Sequence, residues 1–188
     1  MVSPLNRILS RLVVPKTLLV LFLLSLPLVV WIFPWRRARL VALSGLPNPT
    51  FDARFAYSPQ ELLRALPSYG LEARRLYAIS ELTLDFLFPL LYNPFLIGTM
   101  ALLYRRAFPV TSSLHKMVYL PLGVWLADLL ENASLAWLLL VYPPAFLPLA
   151  WAASIFSLVK WLLGALVLLL MFAGLLSLAF AWFRKKPM

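Results

Sequence analysis

Cysteine is absent from this 188-residue chain, and histidine occurs once, at His115. With no thiol there is no disulfide, no thiol redox chemistry, no cysteine-ligated zinc and no iron–sulfur cluster. A single imidazole excludes a multi-histidine metal centre, so neither a metal nor a resident cofactor is expected. It lies in a loop, so no Ser–His–acid set can form at membrane depth. Glycine is scarce, six in all, and none sits in a phosphate-cradling loop.

Charge is the last shortage. Only 13% of residues are charged and 63% are hydrophobic, with mean hydropathy +0.88. Soluble domains have about 25% charged and about 45–50% apolar residues, so the composition is that of a membrane protein. The net charge of +10 comes from basic residues clustered at segment ends. That placement suits headgroup contact and topology control rather than nucleic-acid binding.

The apolar runs predict an all-α integral membrane protein, a four-helix transmembrane bundle in a single membrane domain, with short amphipathic interfacial helices. Residues 1–16 carry Arg7, Arg11 and Lys16 among apolar residues and read as an interfacial segment. The first span is placed at 17–35 and ends in Trp35-Arg36-Arg37 rather than a small-residue cleavage site, so it is expected to stay uncleaved. Residues 36–75 form an external loop containing a short helix at 58–66. There Ser58, Pro59 and Glu61 make a helix start, and Pro67 with Gly70 makes a stop. The remaining spans are expected at 76–104, 117–141 and 148–183. Trp31, Trp35, Trp151 and Trp182 lie near span ends and read as an aromatic belt.

Orientation follows from the basic residues. Arg105, Arg106 and Lys116 flank one connection and Arg184, Lys185 and Lys186 end the chain, whereas 142–150 carries no charge. Both termini are therefore expected in the cytoplasm, in a plasma or inner membrane. Arg36, Arg37 and Arg39 directly after the first span argue the other way.

Against this apolar background stand Asp85, Asp128, Glu131, Asn132 and Lys160. Asp85, Glu131, Asn132 and Lys160 fall roughly nine to thirteen residues deep from one side, where an ionised carboxylate costs about 2.5–3.5 kcal/mol. Glu81, Asp85, Phe88 and Tyr92 share one helical face, Asp128, Glu131 and Asn132 a second, and Ser157 and Lys160 a third. Pro89 cannot bond the carbonyl four residues back, which frees the Asp85 carbonyl beside its carboxylate. Three acids face one intramembrane cation, Lys160, so at least one acid is expected to hold its proton at neutral pH. Asp85, Asp128, Glu131, Asn132 and Lys160 are thus the candidate ligand or ion site, with Glu81, Tyr92 and Ser157 in support. Glu81 lies near the interface and is expected to be solvated. Arg74 and Arg75 are a weaker candidate for a lipid phosphate.

Three functional classes remain open. The first is binding or translocation of a proton, cation or polar lipid headgroup. The second is an accessory subunit of a membrane complex, and the third an intramembrane acid–base enzyme acting on a lipid or isoprenoid. Membrane lipids are the expected partners, and a homodimer or larger membrane complex is compatible with so narrow a bundle.

Overall fold

The structure is a computed structural model and describes residues 14–109, 111–142 and 146–184. The expected interfacial segment at 1–16 lies almost wholly outside them. Among the described residues all regular structure is helical, without a strand, and four helices are long and apolar enough to cross a membrane.

The first, α1, runs from Pro15 to Ser44. It therefore continues well past the expected end at residue 35. Arg36 and Arg37 look like a boundary in sequence, but Leu40, Val41 and Leu43 prolong the apolar stripe, and the stop is Gly45 in the left-handed conformation (φ 70°). Within α1, Leu28–Ile32 form a π turn. The cause is Pro34, which lacks an N–H and crowds the carbonyl of Val30 four residues back, so the ladder widens locally.

A loop at 45–58 follows, then α2 (Pro59–Ala65), a 3-10 turn (Leu66–Tyr69) and α3 (Gly70–Ala107). The start of α2 matches its sequence signature in part. Ser58 accepts a hydrogen bond from the Glu61 N–H (3.1 Å), but the Glu61 carboxylate is drawn away to Arg54 instead of closing the capping box. Helix α3 begins at Gly70, earlier than residue 76, and absorbs Pro89 and Pro94 without breaking. A 3-10 segment (Ser113–Tyr119) leads into α4 (Leu120–Val141), and α5 covers Leu147–Arg184.

Helix α3 is the hub and packs against α1, α4 and α5, while α4 and α5 make the most extensive pairing. The connection at 45–58, Tyr142 and Phe146 lie at one end of the bundle, termed here the loop end. Two cores result. Near the loop end, Leu40, Phe51, Leu62, Tyr69, Tyr77 and Leu135 are buried together. Toward the far end Met100, Leu103, Tyr104, Val124 and Val167 form a second core. There α3 and α5 approach closely at Gly174, where an added Cβ would lie 2.7 Å from Leu103.

Candidate functional site

The polar stripes of α3, α4 and α5 do converge, and α1 and the 45–58 loop join them. Five carboxylates and two cations form one buried network. All seven acids of the chain lie in the loop-end half of the bundle, and five of them are in this cluster.

Arg36 is the centre of one part. Its Nη2 lies 2.9 Å from Asp52 Oδ2, and its Nη1 contacts Asp85 Oδ2 directly and lies 3.5 Å from Glu81 Oε1. The same Nη1 donates to Ser80 Oγ at 3.2 Å. The guanidinium also lies over the rings of Phe33 and Tyr77, at 5.2 and 5.8 Å from their centroids. Only a planar fork can reach acids from the loop and from α3 at once.

Lys160 is the centre of the other. Its Nζ lies 2.5 Å from Glu131 Oε2 and 3.1 Å from Asp128 Oδ1, and it donates to the Asp52 backbone carbonyl at 2.9 Å. Two carboxylates pair with the ammonium and one carbonyl accepts its hydrogen bond, so its charge is fully engaged. Tyr57 donates to the remaining Glu131 oxygen at 3.1 Å. Burial, followed by the charge of Glu131, pushes the Tyr57 phenol far up, so it stays a donor at any ordinary pH.

Two residues join the halves. Asn132 is best bonded with its amide nitrogen donating to Glu81 Oε2 (2.9 Å) and to the Asp128 carbonyl (3.2 Å). Asp52 offers its side chain to Arg36 and its backbone carbonyl to Lys160. Its second carboxylate oxygen accepts from the Tyr77 hydroxyl (2.6 Å), which in turn accepts from the Phe51 N–H (2.6 Å). Burial alone would raise the Asp52 carboxyl, but Arg36, Lys160 and the Tyr77 hydrogen bond outweigh it and hold Asp52 below the usual carboxylate range.

The loop is thereby fastened over the network. Ser157 contributes at the rim by donating to the Arg54 carbonyl (3.4 Å), and Tyr69 donates to the Pro49 carbonyl. Phe51 stacks edge-on against Tyr57 with ring centroids 5.0 Å apart, and both are buried.

Of the residues singled out from sequence, Asp85, Asp128, Glu131, Asn132 and Lys160 are brought together. Ser157 touches the loop that covers them. Glu81 is a correction to the expected solvated position: it is 1% exposed and inside the network, one helical turn above Asp85. Tyr92 packs its ring on Phe88, with centroids 4.9 Å apart, just below the cluster. Arg74 sets its guanidinium over Tyr142 (4.7 Å), and Arg75 is exposed, so neither enters the network. Lys160 is not the lone buried cation. Arg36, 3% exposed, is the second, and Asp52, Tyr57 and Tyr77 were also missed.

Oxygens of Asp52, Glu81 and Asp85 lie within 4.8 Å of one another, a spacing a metal ion would accept. The Arg36 guanidinium is already bonded to that set. No known protein family matches the chain, and no curated protein or solved structure matches it.

Proposed function

We propose that this chain is an integral membrane protein that crosses the bilayer four times and uses the buried network to bind and exchange protons. The observation that carries the reading is the count of charges. Five acids share two cations inside a bundle whose outward surface is almost entirely apolar. Fully ionised, they would leave three uncompensated negative charges in a medium that penalises each severely. Protons are the smallest solution.

The other ligands fit less well. An anionic headgroup would need a free cation, and the two cations of the network are already bound to carboxylates. A metal ion among Asp52, Glu81 and Asp85 would have to expel Arg36. A proton needs only a carboxylate oxygen, and Glu81 is the acid whose closest cation is farthest away, at 3.5 Å.

Orientation is part of the proposal. Nine of the 17 Lys and Arg residues lie in or before the first turn of α1, in or after the last turn of α5, or flank the far-end connection, with no acid among them. Of the arginines at the loop end, Arg36, Arg39 and Arg54 are engaged by acids. This favours a cytoplasmic far end and an external loop end. The network then lies near the outer surface: Arg36 is about 12 Å along α1 from Ser44 but about 30 Å from Lys16.

The test uses full-length protein in sealed vesicles with an internal pH-sensitive dye, together with infrared titration of the carboxyl band. A protonated carboxyl at pH 7 and dissipation of an imposed pH gradient are expected, with both lost or altered in Glu81→Gln and Asp85→Asn. Five ionised carboxylates at pH 7 and an undisturbed gradient would remove the proposal.

A further inference from the structure

The network has an obvious route to the loop end, through the 45–58 loop, and among the described residues no charged group lies between it and the basic residues of the far end. Yet the buried polar groups do not stop at Asp128. Asn93 is 3% exposed, and neither atom of its amide makes a hydrogen bond of good distance and angle among the described residues, although the Tyr92 hydroxyl lies near it. Trp125 Nε1 and Thr99 Oγ1 are buried and unpartnered in the same way. Such groups are rare in folded proteins, and the usual remedy is a bound water.

Their placement is ordered. On α3, Glu81, Asp85, Pro89 and Asn93 form a single buried file with a spacing of one turn, and Asn93 lies about 12 Å below Asp85. Thr99 follows about 9 Å further along the helix. On α4, Trp125 is one turn below Asp128 and so shares its face. Asn132 beside Glu81 fixes the antiparallel register of α3 and α4. That register sets Trp125 between the levels of Asp85 and Asn93. Pro89 adds an acceptor on the same stretch, since it cannot bond the Asp85 carbonyl.

We propose that this stretch is a water-binding site: ordered water held by the Asn93 amide and the Trp125 indole N–H, reaching toward Thr99, that extends the polar path from the carboxylates toward the far end of the bundle. Waters there accept from the Asn93 amide N–H and the Trp125 indole N–H, and donate to the Asn93 amide oxygen and, further up, to the Asp85 carbonyl that Pro89 leaves without its helical partner. It supplies the far-side half of the proton route and rests on the proton reading for its role, though not for its existence. Met100, next in sequence to Thr99 but turned into the second core and fully buried, marks where water is excluded.

The cysteine-free chain makes the test direct. Single substitutions Asn93→Cys, Thr99→Cys and Met100→Cys are introduced into the full-length protein in vesicles. Each is treated from the far side with 2-aminoethyl methanethiosulfonate, which reacts with a hydrated thiolate. Asn93→Cys and Thr99→Cys are expected to react at least about tenfold faster than Met100→Cys, because a thiol in dry surroundings stays protonated and inert. A folded Asn93→Cys protein as slow as Met100→Cys overturns the site; should Asn93→Cys not fold, Thr99→Cys decides by the same criterion. Reactive cysteines in a protein that dissipates no pH gradient would keep the water and reject the proton reading. Gradient dissipation with inert cysteines would do the reverse.

Discussion

The two halves of this bundle fill the space between the same four helices with opposite chemistry. In the loop-end half, α1, α3, α4, α5 and a loop meet through five carboxylates, Arg36, Lys160 and three tyrosines. In the far half, α3, α4 and α5 meet through Met100, Leu103, Val124 and Val167, with Gly174 allowing close approach. The apolar half is tolerant, because dispersion contacts are many, weak and non-directional. The polar half is not. Each of its members is held by specific partners, and losing one strands the others. On the proposed reading, stability and proton exchange are therefore separable by half.

The sharpest way to break the contrast is to truncate one side chain in each half. Arg36→Ala should be the most damaging, about 3–5 kcal/mol, since it leaves Asp52, Glu81 and Asp85 buried without their cation. Met100→Ala should cost about 2–5 kcal/mol, by transfer and cavity terms alone, and, on the proposed reading, should leave gradient dissipation intact. Thermal unfolding in detergent reads both. A milder outcome for Arg36→Ala than for Met100→Ala would mean that the acids neutralise themselves easily and that Arg36 is dispensable.

The smallest expected effect concerns pH. Because the Asp52 carboxyl is held below its ordinary value in the fold, its contribution to closing the loop is complete above the unfolded value of about 3.9 and fades only as pH falls through the lower folded one. Thiol labelling of Thr50→Cys, a buried loop position, should then be flat between pH 7 and 5 after correction for thiolate fraction, and faster throughout in an Asp52→Asn background. Acceleration near pH 6 in the parent would place the latch on another acid.

Much of the loop-free architecture is legible in the sequence. Hydropathy marks four helices, and the one-turn spacing of acidic and amide residues orients three of them, because an unpaired charge has nowhere else to point. Arg36 is hidden by its neighbours. Trp35-Arg36-Arg37 has the composition of a span end, and the true stop signal is Gly45. Glu81 is hidden by assumed depth, since its distance from the helix start was counted from a span that in fact begins at Gly70. Asp52 has no periodic signal at all. A loop residue is positioned by the chain folding back on itself, through Tyr77, Ser157 and Lys160, which sequence spacing does not encode.

The π turn at Leu28–Ile32 has a consequence for how α1 tolerates change. A π turn accommodates one residue more than the α ladder would, and in an unbroken ladder that residue would rotate everything after it by about 100°. It thus resets the phase of α1: in an unbroken ladder Leu28 and Arg36 would be about 80° apart, and the extra residue brings these two buried side chains to within about 20° of one face. Removing one residue from 28–32 should let the ladder close and leave Arg36 aimed at Asp85. The same deletion at 20–24 leaves the π turn in place and should turn the buried Leu18 by about 100° relative to Leu28 and Arg36, at a larger cost in stability. Comparing the thermal stability of the two deletions would show whether α1 carries its own correction for a slipped count.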